Sequence, residues 1–183
     1  MKGDLRALDV RNKKVIVRVD FNVPLSKDFQ VTDDTRLRGA LPTIEYLVEK
    51  GAKIILVSHF ARPLAKLLPD GEIDRNKFSL RHVVPALSAL LGKEVAFFPD
   101  CVGEAVLQKT NELGSGDILL LENTRFHAGE EKGDPAMAAQ LASLGDIYIN
   151  DAFGAAHRAH ASTTVVANHF DAAHKAFGYL MQL

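Results

Sequence analysis

Four stretches of this chain share one rhythm: a segment of helical spacing, a glycine, one or two polar residues, then a short apolar run. They read GAKIILV, GKEVAFF, GDILLL and GDIYIN. A glycine behind a helix admits the left-handed backbone that turns the chain sharply back. The apolar runs Val15–Phe21, Ile54–Ser58, Val95–Phe98, Ile118–Leu121 and Ile147–Ile149 do not alternate strictly, as expected of strands covered on both faces. Helical spacing fills Thr35–Lys50, Ser79–Leu91, Val102–Leu113 and Asp134–Leu144. Pro42 falls inside the first of these, so that helix is expected to begin just before it or to bend there. Strands and helices alternating in this way predict an α/β domain: three αβα layers around a doubly wound, mostly parallel, Rossmann-like sheet.

Composition narrows what such a domain does. With 183 residues, 47% hydrophobic and 25% charged, the chain can bury one sizeable core and is not of disordered composition. Lys and Arg number 22 against 23 Asp and Glu, which provides no bulk field for nucleic acid or an anionic membrane. The single cysteine, Cys101, excludes an intrachain disulfide and a multi-cysteine zinc site. No apolar run approaches the roughly 20 residues of a bilayer span, and the first residues lack the apolar core of a signal peptide. A cytoplasmic, soluble domain with neither nucleic acid nor membrane as partner is the expectation. Residues 171–183 read as helical and stay apolar through FGYLMQL, like a helix that has been interrupted.

Ligands of open parallel sheets bind beyond the carboxyl ends of the strands. The residues placed there are Asp20, Phe21 and Asn22, then Ser58, His59 and Arg62, then Asp100 and Cys101. Glu122, Asn123, Arg125 and His127 follow the fourth run, and Asn150, Asp151, His157, Arg158 and His160 the fifth. Arg36 opens the first helix at the same edge. Arg36, His59, Arg62, Arg125 and Arg158 thus come from separate parts of the chain to one rim. Gathering like charges without an anion between them costs stability, and guanidinium forks suit phosphate and carboxylate oxygens. The ligand implied is a small molecule with several negative charges, with Asp20 and Asn22 orienting the arginines or reading a hydroxyl.

No GxxxxGK[ST] loop, GxGxxG turn or GxSxG elbow is present, so no nucleotide site is read in this chain. His157, His160, His169 and His174 have zinc-ligand chemistry, but their spacing is loose, no cysteine is near, and Arg158 would repel a cation. No metal is assigned, and a zinc-dependent hydrolase built on them would require stoichiometric zinc. Cys101 has no histidine beside it in sequence and reads as a small structural residue.

Five strings then carry a family resemblance: VRVDFNVP at 17–24, DTRLR at 34–38, SHFARP at 58–63, LLLENTRFHAGEE at 119–131 and NDAFGAAHRAHAS at 150–162. In this order, across nearly the whole chain, they resemble the signature segments of phosphoglycerate kinases. The resemblance covers the substrate-binding first lobe of that two-lobed family, which binds 3-phosphoglycerate or 1,3-bisphosphoglycerate. It implies a substrate-binding domain over residues 1–170 and the start of an inter-domain helix over 171–183. The second lobe, which would hold Mg-ADP or Mg-ATP, is not covered by the resemblance, so no cofactor is expected in this domain, and the chain alone is expected to bind without turnover. The resemblance assigns substrate contact to Asp20, Phe21, Asn22, Arg36, His59, Phe60, Ala61, Arg62, Arg125 and Arg158. It makes Arg36 the catalytic residue and lets His157 and His160 add to the basic field. A monomer is expected. The alternative is a non-catalytic anion-binding or interaction module derived from that lobe. Ala61 replaces the family's usual glycine, which predicts a different backbone path between His59 and Arg62 if that glycine needs a positive φ. Leu64, Ala65 and Ala155 depart from the usual strings as well.

Overall fold

The structure, a computed structural model, describes residues 3–152 and 158–182. Six strands form one sheet: β1 (Lys14–Val19), β2 (Lys53–Val57), β3 (Ala96–Phe98), β4 (Ile118–Leu121), β5 (Ile147–Asp151) and β6 (Lys175–Phe177). Their order is β3-β4-β2-β1-β5-β6, and every pairing between them is parallel. The helices are α1 (Thr35–Glu49), α2 (Val84–Leu91), α3 (Glu104–Asn111), α4 (Gly129–Lys132) and α5 (Pro135–Ala142).

Strand alternation sorts the apolar side chains into two cores. On β1, Val15, Val17 and Val19 pack with Leu37, Ile44 and Leu47 of α1 and Leu87 of α2. Ile16 faces the other way, toward Val106 of α3 and Met137 and Leu141 of α5. These are the three layers expected, and each fully buried aliphatic side chain contributes about 1.5–3 kcal/mol. Arg18 shares the period of Ile16 and is fully buried on that second face.

Local rules explain most boundaries. Asp33 accepts from the backbone N–H (2.9 Å) and hydroxyl (2.6 Å) of Thr35 at the start of α1. Asp134 caps α5, with Pro135 at its first position. Gly51 and Gly92 follow α1 and α2 at φ 77° and 61°, the left-handed exit. Gly145 departs from that expectation: it is not at positive φ. A Cβ there would sit 2.7 Å from Ile16 Cγ1 and 3.0 Å from the Lys14 carbonyl, so glycine is needed for close approach to β1.

Two expectations fail for tertiary reasons. α1 does not begin just before Pro42: it starts at Thr35 and runs through the proline, whose ring is on the exposed face. Residues 171–182 do not form one helix. They make a 3-10 turn (Ala172–His174), then β6, then a second 3-10 turn (Tyr179–Gln182). β6 satisfies the open edge of β5, and the following backbone docks through Gly178 N–H to the Asn150 carbonyl (3.0 Å) and Tyr179 N–H to Thr43 Oγ1 (2.9 Å). No helix among the described residues is long and apolar enough to cross a membrane.

Candidate functional site

Four adjacent strands, β4-β2-β1-β5, deliver their carboxyl ends to one edge. There the loops are tied to each other by side-chain amides. Asn123, just past β4, accepts from the N–H groups of Phe60 (2.9 Å) and Arg125 (3.0 Å). It donates to the carbonyls of Phe60 (2.7 Å) and Phe78 (3.0 Å). Buried Glu122 receives Ser79 Oγ and the N–H groups of Leu80 and Asn123. Ala61 sits at φ 53°, the left-handed region. Its N–H donates to Asn22 Oδ1 (2.9 Å) and its carbonyl accepts from Arg125 Nη1 (2.9 Å). Ala61 thus holds a positive φ without being a glycine.

These ties frame a hollow of about 350 Å³ lined by Asn22, His59, Ala61, Arg62, Lys66, Phe78, Arg125 and Arg158. Four of the eight are cations and none is a carboxylate. Arg125 is buried, and its Nε has no hydrogen-bond partner; the nearest counter-charge is Glu131 Oε1 at 3.8 Å. Burial, and then the nearby guanidinium groups of Arg18, Arg125 and Arg158 together with His160, push His59 down to about 2. Its ring is neutral at any physiological pH. A larger hollow of about 640 Å³ near Arg6, Arg11 and Lys50 contains Asp9 and Glu49, so its charges are mutually offset.

Arg36, in the first turn of α1, is outside that lining and is tied to it through Asn22. Its Nη1 donates to the Asn22 carbonyl (2.6 Å) and lies 3.4 Å from Asp20 Oδ1. Asp20 also accepts from the Asn22 N–H (3.2 Å), so it braces the arginine and the loop together. Phe21 and Phe60 have core side chains; their backbone groups are used by Ser58 and Asn123. His160 is half-buried and outside the lining. His157 and Ala155 lie outside the described residues.

Three residues were missed by sequence reasoning. Lys66 lies in the long polar connection Arg62–Lys77 and Phe78 just after it, and Arg18 is hidden inside the apolar run VIVRV. Asp100, Cys101 and His127 place a carboxylate, a thiol and an imidazole within 4.8 Å of one another. Burial, and then Asp100, hold the thiol well above its ordinary value, so it keeps its proton.

The model of the family described as phosphoglycerate kinase matches residues 5–183 of the chain. The chain belongs to the phosphoglycerate kinase family. It is 51% identical over 180 residues to phosphoglycerate kinase of Thermosynechococcus vestitus, covering 98% of this chain and 42% of that protein. Cytosolic phosphoglycerate kinase of Triticum aestivum is 51% identical with the same shares. Among solved structures, phosphoglycerate kinase of Pyrococcus horikoshii superposes at a TM-score of 0.83 with 32% identity. That match covers all of this chain and 43% of its own. Phosphoglycerate kinase of Coxiella burnetii gives 0.80 with 34% identity, over 97% of this chain and 42% of its own. The chain thus spans less than half the length of these phosphoglycerate kinases, and it corresponds to their N-terminal portion.

Proposed function

We propose that the hollow binds 3-phosphoglycerate, or 1,3-bisphosphoglycerate for the opposite direction, and that this chain supplies the acid-binding half of phosphoglycerate kinase activity in the cytoplasm. The observation that carries the reading is the convergence of Arg62, Lys66, Arg125 and Arg158 on one hollow with no carboxylate in its lining. A three-carbon acid with a phosphate at one end and a carboxylate at the other offers two anionic groups to such forks. Asn22 supports the reading too: its oxygen is taken by Ala61, which leaves the amide nitrogen for the substrate hydroxyl.

Arg36 is positioned by the Asn22 carbonyl and Asp20, tied through Asn22 to the hollow, with further N–H groups left over. Its role is to neutralise the phosphoryl group as it passes between the acyl oxygen of bisphosphoglycerate and the terminal oxygen of ADP. Catalysis of such transfer is mostly positioning and charge stabilisation. The magnesium nucleotide belongs to the part of the relatives' length that this chain does not span. The reading gives this chain the acid-binding step alone, without turnover, as a monomer whose partner is the second lobe.

Calorimetric titration with 3-phosphoglycerate tests this. Binding at millimolar ligand or below, weakened by added salt and reduced about tenfold (1.4 kcal/mol) in Arg158→Ala, is the expected result. No heat at millimolar ligand would overturn the reading.

A further inference from the structure

Beneath the hollow runs a chain of buried polar groups drawn from β1, β2, α4 and the turn after β5. Glu130 of α4 accepts from Ser162 through its N–H (2.7 Å) and its hydroxyl (2.5 Å). Ser162 Oγ in turn accepts from Arg18 Nε (2.8 Å). Arg18 Nη1 donates to the Val19 carbonyl, and Nη2 lies 2.8 Å from His59 Nδ1. Glu130 and Arg18 are completely buried, and Ser162 nearly so. None of these three lines the hollow, whereas His59 does.

A guanidinium has donors only, so the atom of His59 that meets Nη2 has to be an acceptor. A neutral imidazole with Nδ1 as acceptor carries its hydrogen on Nε2. That nitrogen has no hydrogen-bond partner among the described residues. We infer that Arg18 is a positioning residue: held by Glu130 through Ser162, it fixes His59 as the tautomer that offers Nε2–H as a donor toward the anionic group in the hollow. The inference rests on the reading of the hollow as a phosphoglycerate site only for the identity of that group.

The charged and titratable groups facing His59 agree in sign. Arg18 comes from β1, Arg125 from the turn after β4, and Arg158 and His160 from the segment after β5; all oppose a second proton on the ring. His59 therefore donates as a neutral group, and the binding surface does not lose a charge as pH rises through the ordinary histidine range.

Long-range proton–nitrogen correlation spectra of the ¹⁵N-labelled wild-type chain test this without a variant. The expected signature for His59 is an unprotonated Nδ1 and a protonated Nε2, unchanged from pH 8 to pH 5. A protonated Nδ1 or a titration near pH 6.5 would overturn the inference. In Arg18→Met the Nδ1 acceptor loses its donor, so the ring should show both tautomers in place of one, with 3-phosphoglycerate affinity about tenfold weaker at pH 8. Unaltered ring spectra in a folded Arg18→Met would also overturn it. Failure of the substrate reading shows as absent calorimetric binding with the wild-type tautomer still as stated, so the two failures are separable.

Discussion

Charge is handled in two opposite ways within a few residues of the same strand ends. In the layer beneath the hollow, Arg18, Glu130, Glu122 and Asn123 are buried and engaged with neighbours at 2.5–3.0 Å. Around the hollow, Arg62, Lys66 and Arg158 are exposed and have no ion pair among the described residues. Desolvated charge must find its partner as the chain folds, because nothing arrives later to pair it. Solvated charge can wait for a ligand while water screens it. The lower layer holds the loops in place, and the upper layer is left to bind.

That contrast can be broken most directly by cutting each layer once. Glu130→Ala strands the buried Arg18 cation and should cost about 3–5 kcal/mol in urea denaturation. Arg158→Ala should move stability by less than about 0.5 kcal/mol. Equal losses would erase the distinction between the layers.

A second cut concerns Asp151, a buried group elsewhere at the end of β5 that is not fully satisfied. Its Oδ1 accepts from Leu180 N–H (3.0 Å), but its Oδ2 has no partner, and burial pushes the carboxyl up to about 7. The folded state holds this proton where the unfolded chain has lost it. Its contribution is thus full below about pH 4 and is lost as pH rises to about 7. His59, pushed down to about 2, has the opposite sign: its contribution is present above about pH 6.5 and lost as pH falls. Between about pH 4 and 6.5 the two slopes offset each other. Asp151→Asn should unmask a rise of about 1.4 kcal/mol per pH unit across that window, on the order of 2–3 kcal/mol in all. Stability that stays flat with pH in this variant would mean that His59 is not held neutral in the folded protein, whereas a rise already present in the wild type would mean that Asp151 is ionised there.

The smallest effect sharpens the comparison at the boundary between the layers. Ala61 at φ 53° carries a left-handed penalty of about 1–2 kcal/mol. A glycine there recovers it but loosens the unfolded chain by about 0.4–1 kcal/mol. Ala61→Gly should therefore raise stability by about 0.5 kcal/mol, or ~1–2 °C in melting temperature. A lower melting temperature would show that the methyl group packs well enough to outweigh the strain.

The first five runs and the four longer helices were legible because both sheet faces are covered and α1, α2 and α5 each have a cap or a glycine exit. The exposed cations Arg62 and Arg158 were legible because each lies in the segment that follows an apolar run, whereas Lys66 sits further along its connection and was missed. The lower layer was not legible. Arg18 is one polar letter in an apolar string, and its partners Ser162 and Glu130 lie 144 and 112 residues away, respectively, by numbering. Nothing local announces that they meet. β6 was misread for a similar reason: alanines around Lys175 favour a helix locally, and only the unpaired edge of β5 makes a strand the better choice.

The position of β1 at the middle of the sheet sets a condition on how this protein is made. One side of β1 pairs with β2, whose residues follow within 40 positions of it, Val15 with Ile54. The other side pairs Val15 with Ile147. At ~5–20 residues per second on a ribosome, that second edge stays bare for on the order of 10 s, open to any passing strand. One of the two central strands of the finished sheet is thus the one whose second edge waits longest for its neighbour during synthesis.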